Sequence, residues 1–452
     1  MQERFDIAII GGGVVGLAIL RRMSMAGYRC LLLERGADIL SGASKGNSAL
    51  LHTGFDAPPG SLELSCMKAG YEEYRAISAK LNLPLLETGA VVVGWTAEEA
   101  EKLPAIVAKA HKNGVSDVRL ISATELRIRE PGLSRAACEA VLVPGEHVID
   151  PWSAPLAYAQ QALSCGATIQ RGCAVTGADF SKGLWQLRAG DRAFAAETVI
   201  NAAGLYGDRV EQFVRTPPFS IKPRKGQFVV FDKPAARLVR SIILPVPTER
   251  TKGVVLFRTI FGNLAIGPTA EDTQERESAS CDQPTLENLK ARAIAMAPGL
   301  ANIGVNAIYA GLRPATEHQD YVIEALPDKQ WITVAGIRST GLTGSLGIAQ
   351  HVEKLQRKHF GKPKAKPPKV AWPSMPNLAE HRIRPYQKGG EIICHCEWVT
   401  RSEIEAALQG PLPARDLGGL KRRTRAMMGR CQGFNCGAEV RCMLEKAGHG
   451  TA

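Results

Sequence analysis

The sequence feature that most limits the fold of this chain is the run Gly11-Gly12-Gly13-Val14-Val15-Gly16, which follows the apolar segment FDIAII at 5–10. Gly11, Gly13 and Gly16 permit a tight turn, close approach of the backbone to a phosphate, and close packing of a helix on the preceding strand. A second apolar segment ends in Glu34, at a spacing suited to a carboxylate that accepts hydrogen bonds from a ribose. The pattern predicts a β-α-β unit with a dinucleotide site, and hence an α/β fold.

Two later segments distinguish a flavin site from a nicotinamide site. Residues 198–204 read as a strand that ends in small residues, and residues 334–345 read as a strand, a glycine turn and the start of a helix. A nicotinamide domain alone would show only the first glycine turn. Three such segments resemble the glutathione-reductase-like, two-domain FAD fold. On this reading the later FAD contacts are Ala203, Gly204, Gly336, Gly341, Leu342 and Thr343.

Length and charge divide the chain into a large region and a small tail. Its 452 residues suggest two to four domains, at roughly 100–200 residues each. The net charge of +12 is concentrated in the Lys- and Pro-rich stretch 354–369, which reads as an extended, solvated linker and gives no reason to expect a nucleic-acid partner. We expect a catalytic region at 1–360, a linker at 361–375 and a small helical domain at 376–452.

Within the catalytic region we expect two interleaved parts. FAD-binding segments are predicted at about 1–90, 145–215 and 325–360, and substrate-binding segments with α+β character at about 91–144 and 216–324. No apolar run reaches the ~18–20 residues that span a bilayer, and the N-terminal apolar stretch lacks the features of a signal peptide. A cytoplasmic protein is expected, with contact to the inner face of the membrane left open.

Five of the 11 cysteines fall in the tail, four of them as Cys394-x-Cys396 and Cys431-x₄-Cys436. Four thiolates have the number and softness that suit a [2Fe–2S] cluster. A zinc site is the competing interpretation, but structural zinc sites more often use C-x₂-C pairs. Cys442 is interpreted as a structural thiol. Because a linker separates the tail from the catalytic region, we expect the cysteine domain to lose its iron without loss of FAD.

Several segments of residues 1–355 carry a more specific resemblance: 45–54, 59–62, 201–206, 223–227, 262–269, 311–314 and 339–344. They resemble the D-amino-acid-oxidase-type FAD superfamily, and within it the glycerol-3-phosphate oxidase/dehydrogenase and L-2-hydroxyglutarate dehydrogenase group. The tail resembles the bacterioferritin-associated-ferredoxin-like [2Fe–2S] domain. This resemblance implies that the metal ligands are Cys394, Cys396, Cys431 and Cys436, and that Arg35, Ser44, Asn47 and Ser48 also contact FAD.

The resemblance also implies roles for the catalytic residues. His52 matches the histidine expected to remove the alcohol proton, although packing against the flavin or a covalent flavin link are alternatives. Arg313 matches the residue expected to bind a carboxylate or phosphate, with an ordinary surface ion pair as the alternative. Arg258 and Lys252 are weaker candidates for substrate contact, and Ser48 and Ser339 are expected to line the site.

Two departures from the group fall near the expected substrate pocket. Phe261 stands where the group often has a histidine, and Arg338-Ser339-Thr340-Gly341 replaces a frequent Ser-Pro-Gly. They put glycerol 3-phosphate itself in question, but not the flavin or the reaction class.

The sequence therefore predicts an FAD-dependent dehydrogenase, similar to glycerol-3-phosphate dehydrogenase, that oxidises a small anionic alcohol such as glycerol 3-phosphate or a 2-hydroxy acid. Its electrons are expected to pass through the [2Fe–2S] cluster to a quinone, an electron-transfer protein or a partner subunit. Two alternatives remain open. One is an amine or imino-acid dehydrogenase subunit of the opine or hydroxyproline type, and the other is a non-enzymatic role in which the tail docks on a partner.

Overall fold

The computed structural model describes residues 3–247, 253–380 and 390–450. None of the helices in these residues is both long and apolar enough to cross a bilayer. The α-helices are α1 (Val14–Ala26), α2 (Leu62–Leu81), α3 (Ala97–Lys112), α4 (Ala123–Arg129), α5 (Ser153–Ser164), α6 (Gly207–Glu211), α7 (Gln283–Met296), α8 (Gly341–His359), α9 (Arg401–Ala407), α10 (Leu417–Thr424) and α11 (Gly437–Lys446).

The strands form two large sheets and two small ones. In chain order they are β1 (Arg4–Ile10), β2 (Cys30–Leu33), β3 (Leu50–Leu51), β4 (Leu85–Leu86), β5 (Ala90–Gly94), β6 (Arg119–Ile121), β7 (Glu139–Val143), β8 (His147–Ile149), β9 (Thr168–Gln170), β10 (Gly177–Ser181), β11 (Leu184–Ala189), β12 (Arg192–Asn201), β13 (Lys222–Phe231), β14 (Ile242–Pro245), β15 (Val255–Arg258), β16 (Leu264–Gly267), β17 (Glu271–Asp272), β18 (Val305–Ala315), β19 (Val322–Leu326), β20 (Trp331–Ala335), β21 (Ile392–Cys394) and β22 (Val399–Thr400).

The first large sheet contains the predicted dinucleotide unit. β1 lies between β2 and β12, and both pairings are parallel. The C-terminal half of β12 also pairs in parallel with β20, which brings the start, middle and end of the chain together in one sheet. The carboxyl ends of these parallel strands face the same edge, where open α/β sheets bind their ligands. The two-domain FAD fold predicted from the sequence is confirmed.

The second large sheet is built from the segments between those of the first. Its strand order is β17-β13-β16-β15-β14-β5-β7-β6, and β18 pairs along β13 from Lys222↔Ala315 to Phe231↔Val305. Its last strand ends at Ala315, while β19 returns to the first sheet and pairs with β20. Chain crossings between the two sheets place the second one beside the carboxyl edge of the first.

Helix α8 is packed tightly on α2, and two glycines make this contact close. A β-carbon at Gly70 would lie 2.1 Å from the Thr343 carbonyl oxygen, and one at Gly347 would lie 2.0 Å from the Cys66 carbonyl oxygen. Because no side chain fits in either space, α8 is held in one position along α2. This fixes the N-terminal end of α8, which begins at Gly341 in the predicted flavin site.

Residues 361–378 contain no helix or strand, and they lie across the surface of the catalytic region as a strap. The Tyr28 hydroxyl donates to the Gly361 carbonyl oxygen, and the amide of Met375 donates to the Leu81 carbonyl oxygen. Met375 and Leu378 are buried in the same core cluster as α1 and α8. The Lys-rich first half is largely exposed, whereas the second half is anchored.

The C-terminal domain docks on the catalytic region through arginines. The Arg423 guanidinium binds both carboxylate oxygens of Asp38, at 2.7 and 3.0 Å, and Arg171 binds the same carboxylate at 3.0 Å. Arg422 donates to the Ile39 carbonyl oxygen. Asp38 is fully buried and lies in the loop that follows Glu34. We call this contact the Asp38 latch.

Candidate functional site

A cavity of about 450 Å³ lies where the carboxyl edge of the first sheet meets the second sheet and the start of α8. Most of the predicted flavin contacts line it: Gly11, Gly13, Glu34, Arg35, Ser44, Asn47, Ser48, Ala203, Gly204, Gly336, Gly341 and Leu342. Gly16 and Thr343 do not. Gly16 has a packing role, since a β-carbon there would lie 1.9 Å from the Gly11 carbonyl oxygen.

The glycine turn fits a pyrophosphate. Gly11 has a φ of 114°, and a β-carbon there would lie 2.4 Å from the Ala202 carbonyl oxygen. A β-carbon at Gly13 would meet only the Ser44 hydroxyl oxygen, at 3.2 Å, so the protein itself does not require glycine there. Helices α1 and α8 both begin at the cavity, and neither has a capping side chain at its N-cap. Their N-terminal amides and dipoles suit an anionic dinucleotide.

Glu34 holds the loop that surrounds this end of the cavity. One carboxylate oxygen accepts a hydrogen bond from the Gly12 amide at 2.6 Å, and the other accepts one from the Gly36 amide at 2.7 Å. A carboxylate has about four acceptor positions, so Glu34 retains capacity for the ribose hydroxyl predicted from the sequence. Beside it, the Arg35 guanidinium lies over the Tyr206 ring, 4.0 Å from its centroid.

Two glycines bring the substrate side of the cavity together. A β-carbon at Gly311 would lie 2.4 Å from the Gly46 carbonyl oxygen, so β18 and the segment around Gly46 are in backbone contact. The contact places Ser48 and Arg313 in the wall of one cavity, although they are far apart in the sequence.

Arg313 is a partly buried cation in the wall of this cavity. Its guanidinium donates to three backbone carbonyl oxygens, those of Thr269 at 2.6 Å, Lys225 at 3.2 Å and Arg224 at 3.4 Å. In the described residues no carboxylate forms an ion pair with it. Burial lowers the pKa of Arg313 to about 10, which still leaves it charged at neutral pH. A partly buried guanidinium that carbonyl oxygens hold in place, and that forms no ion pair within the described residues, is suited to an anionic ligand.

The other predicted substrate contacts divide between the cavity and its surroundings. Ser339 and Arg338 line the cavity, while Arg258, at the end of β15, does not. The Arg258 Nε is buried without a hydrogen-bond partner in the described residues. Lys252 lies outside the described residues. Phe261 is also absent from the cavity wall, because it packs between Trp152 and the C-terminal domain.

His52 does not line the cavity, and it directly follows β3. Its amide donates to the Thr343 hydroxyl at 3.0 Å, which explains why Thr343 faces away from the cavity. Its Nδ1 lies 2.6 Å from a carboxylate oxygen of Glu146. Glu146 is fully buried and also accepts hydrogen bonds from the amide and hydroxyl of Thr53. This fixes the imidazole with its Nδ1 proton toward Glu146 and its lone pair on Nε2.

The four predicted cysteine ligands converge in the C-terminal domain. The side chains of Cys396 and Cys431 interact, as do those of Cys394 and Cys436. In the described part of the chain, no group of three or more His, Cys, Asp or Glu side chains is already arranged around the position of a metal ion. Four thiols provide the number and softness of ligands that a [2Fe–2S] cluster requires. Cys442 takes no part in these interactions.

The Cys431–Cys436 loop is preorganised for an anionic sulfur. The amides of Asn435, Gly433 and Phe434 point at the Cys431 sulfur, and they lower the pKa of its thiol. In contrast, burial raises the pKa of Cys436 to about 12. Backbone donors to a thiolate are suited to a cluster ligand, since hydrogen bonds to the sulfurs tune its potential.

Sequence reasoning did not identify Glu146 or Asp38. Glu146 follows β7 at the start of a segment assigned to the FAD-binding part, and its only local sign is a charged residue between two apolar strands. Asp38 sits in the loop after the ribose-binding position, where acidic residues are ordinary. The roles of both residues depend on contacts between segments that are far apart in the sequence.

Comparison with known proteins agrees with this geometry. Residues 6–355 match the FAD dependent oxidoreductase family, and residues 392–446 match the BFD-like [2Fe-2S] binding domain. A glycerol 3-phosphate dehydrogenase of Caloramator mitchellensis is 31% identical over 448 residues, covering 96% of this chain and 93% of that protein. An L-2-hydroxyglutarate dehydrogenase of Indibacter alkaliphilus is 28% identical over 63% of this chain and 72% of that protein.

Among solved structures, the dithionite-reduced L-α-glycerophosphate oxidase of Mycoplasma pneumoniae, with FAD bound, superposes with a TM-score of 0.73. It is 24% identical and covers 81% of this chain and 100% of its own, a likeness that concerns the fold alone. The family match covers most of the chain, and the cavity and the cysteine pairs fit the two cofactors. The chain belongs to the FAD-dependent oxidoreductase family, carries a BFD-like [2Fe–2S] domain after its catalytic region, and has FAD and a [2Fe–2S] cluster as its cofactors.

Proposed function

We propose that this protein is a dehydrogenase of small anionic alcohols, with glycerol 3-phosphate or a 2-hydroxy acid as substrate. The electrons are proposed to leave through the [2Fe–2S] domain to a quinone or an electron-carrier protein. The relative from Caloramator mitchellensis supports this assignment, because its similarity extends over both modules. The [2Fe–2S] domain itself favours a dehydrogenase over an oxidase that uses oxygen directly.

The observation that carries the proposal is the partly buried Arg313 in the wall of the FAD cavity, with which no carboxylate of the described residues forms an ion pair. Removing a guanidinium from water is costly unless a counter-ion compensates it, and an anionic substrate supplies that charge. The planar fork of arginine suits both carboxylate and phosphate, which is why either substrate class remains in the proposal. Ser48 and Ser339 line the same cavity and offer hydroxyls to the substrate.

His52 is proposed as the base that takes the hydroxyl proton of the substrate at Nε2. Glu146 would hold the imidazole in the required tautomer and stabilise the imidazolium that forms, as the buried acid does in other acid–histidine pairs. Because His52 lies outside the cavity wall, the proton transfer requires a side-chain rotation that opens a path from the cavity to the imidazole. Bound FAD supplies the hydride acceptor, and the cluster supplies one-electron transfer.

The proposal is tested by anaerobic flavin bleaching with a panel of glycerol 3-phosphate, 2-hydroxy acids and secondary amines. An anionic alcohol should bleach the flavin, and should do so far less effectively in Arg313→Met. A protein bleached equally well by uncharged alcohols would contradict the proposed role of Arg313.

A second candidate, oxidation of an amine or imino acid, is favoured by one observation: His52 is not in the cavity wall. An amine that binds in its neutral form needs no strong base. Flavin reduction by a secondary amine that survives His52→Ala would support this candidate over the alcohol dehydrogenase.

A further inference from the structure

Arg425 of the C-terminal domain inserts between the two modules. Its guanidinium carbon lies 3.7 Å from the centroid of the Phe261 ring, and its Nε donates to a Glu397 carboxylate oxygen at 2.9 Å. Arg425 is only 6% exposed, so both contacts are made away from water. A desolvated cation on an aromatic face is a stronger contact than an exposed one.

On the catalytic side, the Phe261 ring stacks on the Trp152 ring. The rings of Phe261 and Trp152 lie 6.2 Å apart at an interplanar angle of 15°. Trp152 directly follows Pro151, which lines the FAD cavity. An aromatic pair therefore joins the residue next to the cavity-lining Pro151 to the surface on which the C-terminal domain docks.

On the cluster side, the contacts reach the cysteine ligands. Glu397 follows Cys396 directly, and Lys233 of the catalytic region forms an ion pair with Glu397 at 3.0 Å. The Lys233 ammonium also donates to the Cys396 carbonyl oxygen at 3.5 Å. The turn that carries Cys394 and Cys396 is thus fixed to the catalytic region at the same place where Arg425 meets Phe261.

We propose that Arg425 is a positioning residue that holds the Cys394–Cys396 turn against the Trp152–Phe261 pair, and that electrons cross from the flavin to the cluster at this junction. The inference rests on the proposed function in one respect, since it takes the cluster as the electron acceptor of the reduced flavin. Phe261 suits this role because its uncharged aromatic ring offers Arg425 a face without repelling the guanidinium.

Reduced flavin gives up two electrons, one at a time, and its protons go to water. Each electron converts one ferric ion of the oxidised cluster to ferrous iron. An external one-electron acceptor, ferricyanide in the assay, must reoxidise the cluster between the first transfer and the second.

The test uses the full-length protein loaded with FAD and iron. A laser flash in the presence of deazaflavin and a sacrificial electron donor reduces the flavin without a substrate. The subsequent loss of the cluster absorbance, together with the appearance of the EPR signal of the reduced cluster, measures electron transfer within the chain. Four variants are compared: Phe261→Leu, Arg425→Gln, Phe261→Tyr and Arg441→Gln. Phe261→Tyr keeps the aromatic face, and Arg441 is an exposed arginine of α11 in the same domain.

Phe261→Leu and Arg425→Gln should slow transfer by about tenfold, the population shift expected when a desolvated cation–π contact is lost. Phe261→Tyr and Arg441→Gln should stay within about twofold of the parent, as for substitutions that leave the junction intact. Midpoint potentials and cofactor contents should be unchanged. If Arg425→Gln loses its iron, the proposal is judged by the electron-transfer rate of Phe261→Leu, because that substitution lies on the catalytic side of the junction.

If Phe261→Leu binds both cofactors and transfers electrons as fast as the parent, the proposal that electrons cross at this junction is overturned. Because a flash and not a substrate reduces the flavin, failure of alcohol oxidation would leave this measurement intact. A parent protein in which reduced flavin never reduces the cluster would overturn the junction together with the electron route of the proposed function.

Discussion

At the residue scale, the glycine turn separates what the fold requires from what the cofactor requires. Gly11 has a left-handed φ and faces the Ala202 carbonyl oxygen, so a side chain there would disturb the sheet itself. Gly13 faces the cavity and meets only the Ser44 hydroxyl. The same sequence pattern therefore contains one structural glycine and one that faces the ligand.

We predict that Gly13→Val folds but loses FAD, because its side chain would occupy the space of the pyrophosphate. Gly11→Val should also lower the melting temperature of the protein without cofactor, since a strained φ costs about 1–3 kcal/mol. Flavin absorbance after gel filtration and thermal melts of both variants measure the two effects. Full FAD content in Gly13→Val would contradict the assignment of the turn.

Arg313 gives a second prediction at this scale. Arg313→Met should chiefly raise KM for the anionic substrate, with a loss of about 2–5 kcal/mol for a desolvated charge pair that loses one partner. Arg313→Lys should recover part of the loss, because it keeps the charge but not the planar fork. Arg135→Met, at an exposed arginine of the catalytic region, is the matched control. Steady-state kinetics in which only kcat changes would argue against an anion-binding role.

Local patterns predicted several elements closely. The β-α-β unit predicted around the glycine turn is observed as β1, α1 and β2. Helices α2 and α3 were not predicted, although Ser61 and Thr96 cap them and Glu99 follows Thr96 at capping-box spacing. These capping residues are signals of helix starts that the sequence itself contains. The contacts of His52 with Glu146 and of Asp38 with Arg423 have no such signal, since they join residues 94 and 385 positions apart.

At the element scale, α10 carries the Asp38 latch. Arg423→Gln removes the bidentate partner of a fully buried carboxylate, although Arg171 remains. We predict a loss of about 3 kcal/mol in the docking of the C-terminal domain, the lower end of the range for a broken buried ion pair. Faster proteolysis after residue 380 should report the loss, and Arg441→Gln should behave like the parent.

The latch also has a predicted pH dependence. Burial alone would raise the pKa of Asp38, but Arg423 and Arg171 lower it below its ordinary value of 3.8. The stabilisation is therefore complete above about pH 4 and is lost as the pH falls through the lowered pKa. In Arg423→Gln the loss should begin at higher pH. An identical acid-release profile for parent and variant would show that Arg423 does not bind Asp38 in solution.

For the whole molecule, the structure changes one expectation from the sequence. A Lys- and Pro-rich linker suggested two modules that load their cofactors independently. The Asp38 latch instead joins the C-terminal domain to the loop of residues 34–44, several residues of which line the FAD cavity, and the strap is anchored on the catalytic region. Composition indicates that a segment is extended, but it does not show which surface the segment lies on.

We therefore predict that Cys431→Ser loses its iron and also weakens FAD binding, by about tenfold or 1.4 kcal/mol. A small domain that loses its metal loses folding free energy, and Arg423 of an unfolded C-terminal domain no longer binds Asp38. Cys442→Ser should keep both cofactors. Iron analysis and FAD titration of the apoprotein measure the effect, and unchanged FAD affinity in iron-free Cys431→Ser would restore the picture of independent modules.

The central claim, oxidation of an anionic alcohol with His52 as base, is tested most directly by anaerobic stopped-flow flavin reduction across pH. With glycerol 3-phosphate or a 2-hydroxy acid, the parent should show a rate that rises with pH through an inflection near neutral pH. His52→Asn should be slower by about 10²–10⁴-fold and should lack that inflection. If His52→Asn reduces its flavin as fast as the parent at every pH, the alcohol mechanism has no base and the account is contradicted.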